Sequence, residues 1–249
     1  METIVTKSKN RIATVLLGVA LTSTNIFPSL AQNIELESDE FGLRVREYLL
    51  KNPEVILEAM ELLGAKQASD KQAEMVAPHY QALLSTDTDL VIGNPEAPIK
   101  VIEFFDYRCA VCKASVPTLE AIAKSNPDIV FIKKHLAILT PASERATRYV
   151  LATNMVYGPE AYQKLHKALY AGFMPMTEAT FKQQAELLKL DHDAISEKLD
   201  DETISATIDL HRDIAIELGF KGTPVFMGSS SFKAGVVSAE DIQRLTLGG

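Results

Sequence analysis

Cysteine is nearly absent from this chain: there are two in 249 residues, Cys109 and Cys112. They lie three positions apart, so a disulfide between them closes a very short loop. Loop-closure entropy gives such a bridge only about 2 kcal/mol, and a protein with one disulfide for stability would gain more by joining distant segments. Positive charge is also in deficit, with 25 Lys and Arg against 33 Asp and Glu and a formal net charge of −8. That balance argues against nucleic acid or an anionic membrane as the main partner. After the N-terminus no apolar run is long enough to span a bilayer, and there are no internal repeats or low-complexity tracts. What is present is ordinary for a soluble globular protein, 47% apolar and 23% charged, and long enough for one sizeable domain plus an appendage.

The first residues read as an export signal. Lys7, Lys9 and Arg11 form a basic stretch, Ile12 to Leu21 a short apolar core, and Ser29-Leu-Ala31 offers small residues before a cleavage point. Cleavage after Ala31 is expected, leaving residues 1–31 as a signal peptide. The apolar core is too brief for a membrane anchor. Export places the two thiols in an oxidising compartment, where disulfides form and persist.

Residues 32–89 read as a helical segment. Phe41, Val45, Tyr48 and Leu49 share a face, and Asn52-Pro53 is a helix start. Val55, Ile56, Met60 and Leu63 give the second helix an apolar side, and Pro78 is expected to bend or divide a later stretch. Ser85-Thr-Asp-Thr-Asp89 is a linker by composition. A segment this small must bury its apolar faces on something else.

From residue 90 the order is two strands (Leu90–Ile92, Ile99–Phe105), a helix to Ser125, a strand at Ile129–Ile132, a helical block at about 141–218, two strands near Pro224–Met227 and Phe232–Ala234, and a last helix capped by Ser238. That pattern is a small mixed sheet with helices on its faces and a helical insertion. Lys133, Lys134 and His135 follow a strand and are expected to be solvated, with the alternative that one of them approaches the active-site end. No function falls to the scattered His79, His166, His192 and His211.

The chemistry sits at Val101-Ile-Glu-Phe-Phe-Asp-Tyr-Arg-Cys109-Ala-Val-Cys112. An apolar strand ends at Asp106, and two thiols follow at a helix start. Thiols at that spacing lie within one helical turn of each other. The N–H groups of the first turn favour negative charge on Cys109. Glu103 shares a strand face with Val101 and Phe105, which argues for its burial. A buried carboxyl titrates high and can exchange protons with Cys112. Tyr107 and Arg108 lie in the turn before the motif and are candidates to touch substrate. Two thiolates also suit Cu(I) or Zn, but no nearby His or third Cys completes a site within one chain; two chains could share ligands.

Three stretches carry a family resemblance: Gly93-Asn-Pro-Glu-Ala-Pro98, Glu103-Phe-Phe-Asp-Tyr-Arg-Cys-Ala-Val-Cys112 and Gly222-Thr-Pro224. Over residues 90–249 the chain resembles the DsbA-like branch of thioredoxin-fold proteins. Tyr48-Leu-Leu-Lys-Asn-Pro-Glu-Val-Ile56 resembles the N-terminal extension of ScsC-like relatives, which serves oligomerisation. The resemblance implies an α/β thioredoxin-like fold with an inserted helical domain, preceded by a helical N-terminal extension. It further implies a surface-exposed attacking Cys109, a more buried resolving Cys112, a buried acid at Glu103, and a cis Pro224 that lines a peptide groove with Thr223. On the chain's own residues a trans proline would be the default. Strong oxidants of the family carry a histidine in the dipeptide between the cysteines; Ala110 and Val111 cannot donate to the Cys109 sulfur through their side chains.

The expected function is that of an exported, periplasmic protein thiol–disulfide oxidoreductase. It would oxidise or isomerise disulfides in other proteins, without a dissociable cofactor or metal, because the two sulfurs carry the electrons. Its partners would be cysteine-containing exported proteins, a redox partner that resets the pair, and further copies of itself. Thr223 before Pro224 resembles isomerase-type relatives. The competing class is a copper-binding or chaperone-like protein that uses the fold as a scaffold.

Overall fold

The computed structural model describes residues 30–84, 89–172 and 174–246. The expected signal segment, save for Leu30 and Ala31, and the linker residues Ser85 to Thr88 lie outside them. The chain divides into two compact units, one ending at Met60 and one beginning at Glu61.

The first unit holds helix α1 (Leu30–Lys51) and the opening turns of α2 (Glu54–Ala82). Asn52 separates the helices, its side-chain amide and backbone N–H both donating to the Tyr48 carbonyl. Apolar residues are abundant here and exposed: Phe41, Leu43, Tyr48, Leu50, Leu57 and Met60 are each more than half accessible. Helix α2 runs unbroken through Gly64 and Pro78, so Pro78 does not divide it.

The second unit is built on a five-stranded sheet in the order β1-β3-β2-β4-β5. Its strands are β1 (Leu90–Gly93), β2 (Ile99–Phe105), β3 (Ile129–His135), β4 (Val225–Met227) and β5 (Phe232–Ala234). Only β2 and β3 are parallel, joined by helix α3 (Ala110–Ser125). The β1–β3, β2–β4 and β4–β5 pairs are antiparallel. Gly93 ends β1 at φ +107, and a Cβ there would meet the Ile129 carbonyl at 2.8 Å, so only glycine fits without a shift.

Alternation along β2 divides the core. Ile102 and Phe104 pack with Ile132, with Ile214 and Leu218 of the α7 region (α7, Glu202–Glu217), and with Val76, Tyr80 and Leu83. Those last three recur at i, i+4 and i+7, one helical face, and the Tyr80 hydroxyl donates to the Lys100 carbonyl at 2.7 Å. The end of the helical segment is thus part of the sheet-containing unit, which starts well before residue 90. On the other face Val101 packs with Leu119 and Ile122 of α3 and Ile242 and Leu245 of α8 (Ala239–Thr246).

The insertion comprises α4 (Pro141–Tyr170), α5 (Glu178–Leu187), α6 (His192–Ser196) and α7. Thr140 and Ser143 close a capping box at the start of α4, and Gly158 at φ +78 kinks it before Pro159. Its core joins Tyr149, Leu165, Phe181 and Ile204 to Phe105, Tyr107 and both cysteines. The helical block therefore packs directly on the redox motif.

Candidate active site

Asp106 shapes the turn that delivers the first cysteine. Its buried carboxylate accepts from the Arg108 N–H at 2.7 Å through Oδ1, and from Ile138 and Leu139 N–H at 3.1 Å each through Oδ2. Its carbonyl accepts the Cys109 N–H. This residue was not singled out from the sequence; an Asp two positions before a turn amide is the available signal.

Cys109 is the N-cap of α3, with extended backbone at φ −78 and ψ 109. Its Sγ accepts from the Cys112 N–H at 3.1 Å and donates to the Thr223 carbonyl at 3.3 Å. A helix N-terminus with an amide aimed at sulfur is where negative charge is best accommodated. The Thr223–Pro224 peptide bond is cis, and it brings the Thr223 carbonyl against the thiol. Both cysteines are free thiols here. Cys112 is fully buried, and Cys109 is only 4% accessible. The expected exposure of Cys109 is therefore not met: Thr223 and the insertion core cover most of the sulfur. Burial pushes the Cys112 thiol far above its ordinary value, and its interaction with Cys109 adds to the rise.

Glu103 is fully buried. Its Oε2 accepts from Lys133 Nζ at 2.5 Å, while Oε1 has no hydrogen-bond partner among the described residues. Burial raises the carboxyl above its usual range, and Lys133 pulls it back in part. Lys133, Lys134 and His135 are all buried, contrary to the expectation of solvation. The reason is that β3 runs on to His135 between β1 and β2, covered on both faces. Each lysine carries its counter-charge, Glu103 for Lys133 and Asp89 for Lys134.

Tyr107 is also fully buried, so it does not touch substrate. Its hydroxyl meets His166 Nδ1 at 2.9 Å, and its ring joins Phe105, His135 and Tyr170. Arg108 is exposed and donates to the Met174 carbonyl at 3.3 Å. Lys113, in the first turn of α3, donates to the carbonyls of Leu169 and Gly172. Val111 of the dipeptide, together with Ile138 and Leu139 on the Asp106-anchored loop, leaves apolar surface in solvent. Behind the motif lies a cavity of about 430 Å³ bounded by Val116, Pro117, Lys133, His166 and Tyr170. Among the described residues no three His, Cys, Asp or Glu side chains converge on a metal-sized site.

The thioredoxin family profile matches residues 85–245, the span that carries the sheet, the insertion and this site. The chain belongs to the thioredoxin family. A second profile, the N-terminal domain of the copper resistance protein ScsC, matches residues 37–69. Among solved structures, a thioredoxin-like oxidoreductase from Silicibacter pomeroyi is 26% identical with a TM-score of 0.60, covering 66% of this chain and 94% of that one. Proteus mirabilis ScsC in a transitional conformation is 26% identical with a TM-score of 0.59, covering 86% and 96%. A curated relative, Na(+)/H(+) antiporter NhaA 3 of Salinispora tropica, is 28% identical over 168 residues; the match covers 68% of this chain but 24% of the antiporter. The chain thus spans about a quarter of that relative's length. The DsbA- and ScsC-like build of this thioredoxin-family member covers both the redox unit and the N-terminal helical segment.

Proposed function

We propose that this chain is an exported protein thiol–disulfide oxidoreductase that oxidises or isomerises disulfides in other proteins. The observation that carries the reading is the Cys109 sulfur as N-cap, accepting the Cys112 amide beside the Thr223 carbonyl. In the oxidised protein a substrate thiolate attacks Cys109, the Cys109–Cys112 bond breaks, and Cys112 leaves and takes a proton. A second substrate thiolate then attacks the substrate sulfur of the mixed disulfide and releases Cys109 as thiolate. When no second thiolate is at hand, Cys112 gives up its proton, attacks Cys109 and frees the substrate. A thiol as buried as Cys112 needs a proton partner in both directions, and Glu103 is the nearby buried acid with a spare oxygen. Val111, Ile138 and Leu139 offer an apolar rim for an unfolded polypeptide.

Exposed apolar residues on α1 and early α2 support a homo-oligomer, since a helix face of that kind needs a cover. The match to the ScsC N-terminal domain supports the same reading, and the basic, apolar and small-residue pattern of residues 7–31 supports export to the periplasm.

The test is turnover with a reduced, unfolded substrate protein and with a scrambled one. Cys109→Ser should abolish both activities, and Cys112→Ser should accumulate mixed disulfides. Normal turnover by Cys109→Ser overturns the assignment. The copper-related name of the N-terminal match gives a second reading: stoichiometric Cu(I) binding with thiols inert to disulfides would favour it.

A further inference from the structure

Glu103 Oε1 and the Tyr170 hydroxyl are among the buried polar atoms that lack hydrogen-bond partners among the described residues, with His135 Nδ1 and Thr223 Oγ1. The first two belong to the surroundings of one ammonium group. Lys133 Nζ lies 2.5 Å from Glu103 Oε2 and 5.1 Å from the Tyr170 ring centre. The Tyr170 ring centre also lies 5.5 Å from the ammonium group of Lys113, the residue after Cys112. The ring is locked in place, stacked on His166 at 4.7 Å and edge-on to Phe105 and Tyr107. Tyr170 and Lys133 also bound the 430 Å³ cavity. Tyr170 therefore shares a wall of the cavity with Lys133, the direct partner of the buried carboxyl.

Buried groups of this kind are normally satisfied by protein or by an ordered water with two to four polar partners. We propose that Tyr170 is a positioning residue for the proton step: its hydroxyl and Glu103 Oε1 share a water that links Glu103 to solvent in the cavity. This rests on the reading that Glu103 exchanges a proton with Cys112. In the resolving step Cys112 Sγ attacks Cys109, forming the Cys109–Cys112 bond and breaking the bond to the substrate sulfur, which departs as thiolate. The Cys112 proton passes to the Glu103 carboxylate. Glu103 then hands a proton to the shared water, and the chain ends in the cavity with one proton released to solvent. In the reverse step the proton travels inward to the departing Cys112.

The titratable groups facing this path are Lys133 and His135 from β3, Lys113, Cys109 and Cys112 at the start of α3, His166 from α4, and Tyr107. Burial holds His135 and His166 neutral, well below the ordinary imidazole range. They therefore add no titrating charge to the path at neutral pH.

The experiment uses the reduced full chain mixed with dithiobis(nitrobenzoate). A first, concentration-dependent burst of coloured thiolate reports attack by Cys109, and a second, unimolecular one reports attack by Cys112. Tyr170→Phe should leave the first phase unchanged and slow the second roughly tenfold, less than the roughly 10²–10⁴-fold of a direct proton donor or acceptor, because Tyr170 only positions the proton path. Combining it with Glu103→Gln should slow the second phase no further than Glu103→Gln alone. Val116→Phe, which narrows the cavity from the α3 side and leaves the Tyr170 hydroxyl in place, should slow the second phase and spare the first. A wild-type second phase in Tyr170→Phe, with Glu103→Gln slow, overturns the role of Tyr170 and leaves that of Glu103. A wild-type second phase in Glu103→Gln overturns the reading beneath it. Equal slowing of both phases by Tyr170→Phe means a structural role only and also overturns the proposal; if that variant does not fold, an unchanged second phase in Val116→Phe does so.

Discussion

Glu103 and Lys133 are register partners on adjacent parallel strands, and their side chains meet at 2.5 Å with almost no access to water. A buried pair is costly to break, because removing one member strands the other charge. Lys133→Met should therefore lower unfolding stability by about 3–5 kcal/mol at neutral pH. The pH dependence has a defined sign. Glu103 is held above its ordinary value, so the folded state binds its proton more tightly than the unfolded chain. Its contribution is fully present below the ordinary glutamate pKa and is lost as pH rises toward the raised value. Urea unfolding of wild type and Glu103→Gln across that window checks this: the advantage of wild type should shrink with rising pH.

Cys109 and Cys112 should differ sharply toward alkylating agents. Only a thiolate reacts, and Cys112 is both fully buried and held far above its ordinary value. In the reduced native protein, iodoacetamide at mildly alkaline pH should label Cys109 at least about a hundredfold faster than Cys112. Peptide mass spectrometry after timed quenching reads the ratio. Comparable rates in the folded protein would contradict the burial described here. In urea the two rates should converge.

The strand–turn–helix frame of the redox pair was legible in the sequence because each of its signals is local. The apolar run ends at Asp106, the thiols sit one turn apart, and β2 alternation puts Glu103 on the face of Val101 and Phe105. Lys133 was misread for an equally physical reason. A Lys-Lys-His run looks like an exit into solvent, and only the pairing of β3 between β1 and β2 shows that it stays inside. The correcting signal was the supply of carboxylates at Asp89 and Glu103, one for each lysine. Tyr107 and Tyr170 could not be placed beforehand, because each is packed by residues dozens of positions away, Tyr107 by α4 and Tyr170 by Phe105, Tyr107 and Lys133.

His211 gives the fold an acid-sensitive point. It is buried beside Phe104, its Nδ1–H donating to the His135 carbonyl at 3.1 Å, and burial holds its pKa down at about 4. An unfolded histidine titrates near 6.5. Between those values the unfolded chain binds the extra proton, so stability falls as pH drops. The loss attributable to His211 should be about 3 kcal/mol. Urea midpoints from pH 7 to 4 measure it, and a neutral replacement such as His211→Gln should make that limb shallower by this share, the buried His135 and His166 supplying the rest, while lowering stability at pH 7. A wild-type limb retained in the variant would assign the acid sensitivity to other groups.

The N-terminal segment allows a clean test of self-association, provided the cut is placed by the fold. A truncation at the linker near Thr88 would remove Val76, Tyr80 and Leu83, which complete one face of the sheet core. Loss of activity there would report unfolding rather than loss of partners. The cut belongs before Glu61, where the second compact unit begins. A chain starting at Glu61 keeps the core contacts and loses Phe41, Leu43, Tyr48, Leu50, Leu57 and Met60, all of them exposed. If those side chains are covered by other copies, light scattering should show an oligomer for the longer chain and a monomer for the shorter. The shorter chain should keep its Cys109 chemistry with a small disulfide, since the residues that hold the thiols all belong to the second unit. It should lose most of its ability to reactivate a scrambled protein, because that requires several thiols around one substrate. A monomer at Gln32 onward, or full reactivation by the chain from Glu61, would separate the exposed helix faces from the redox function.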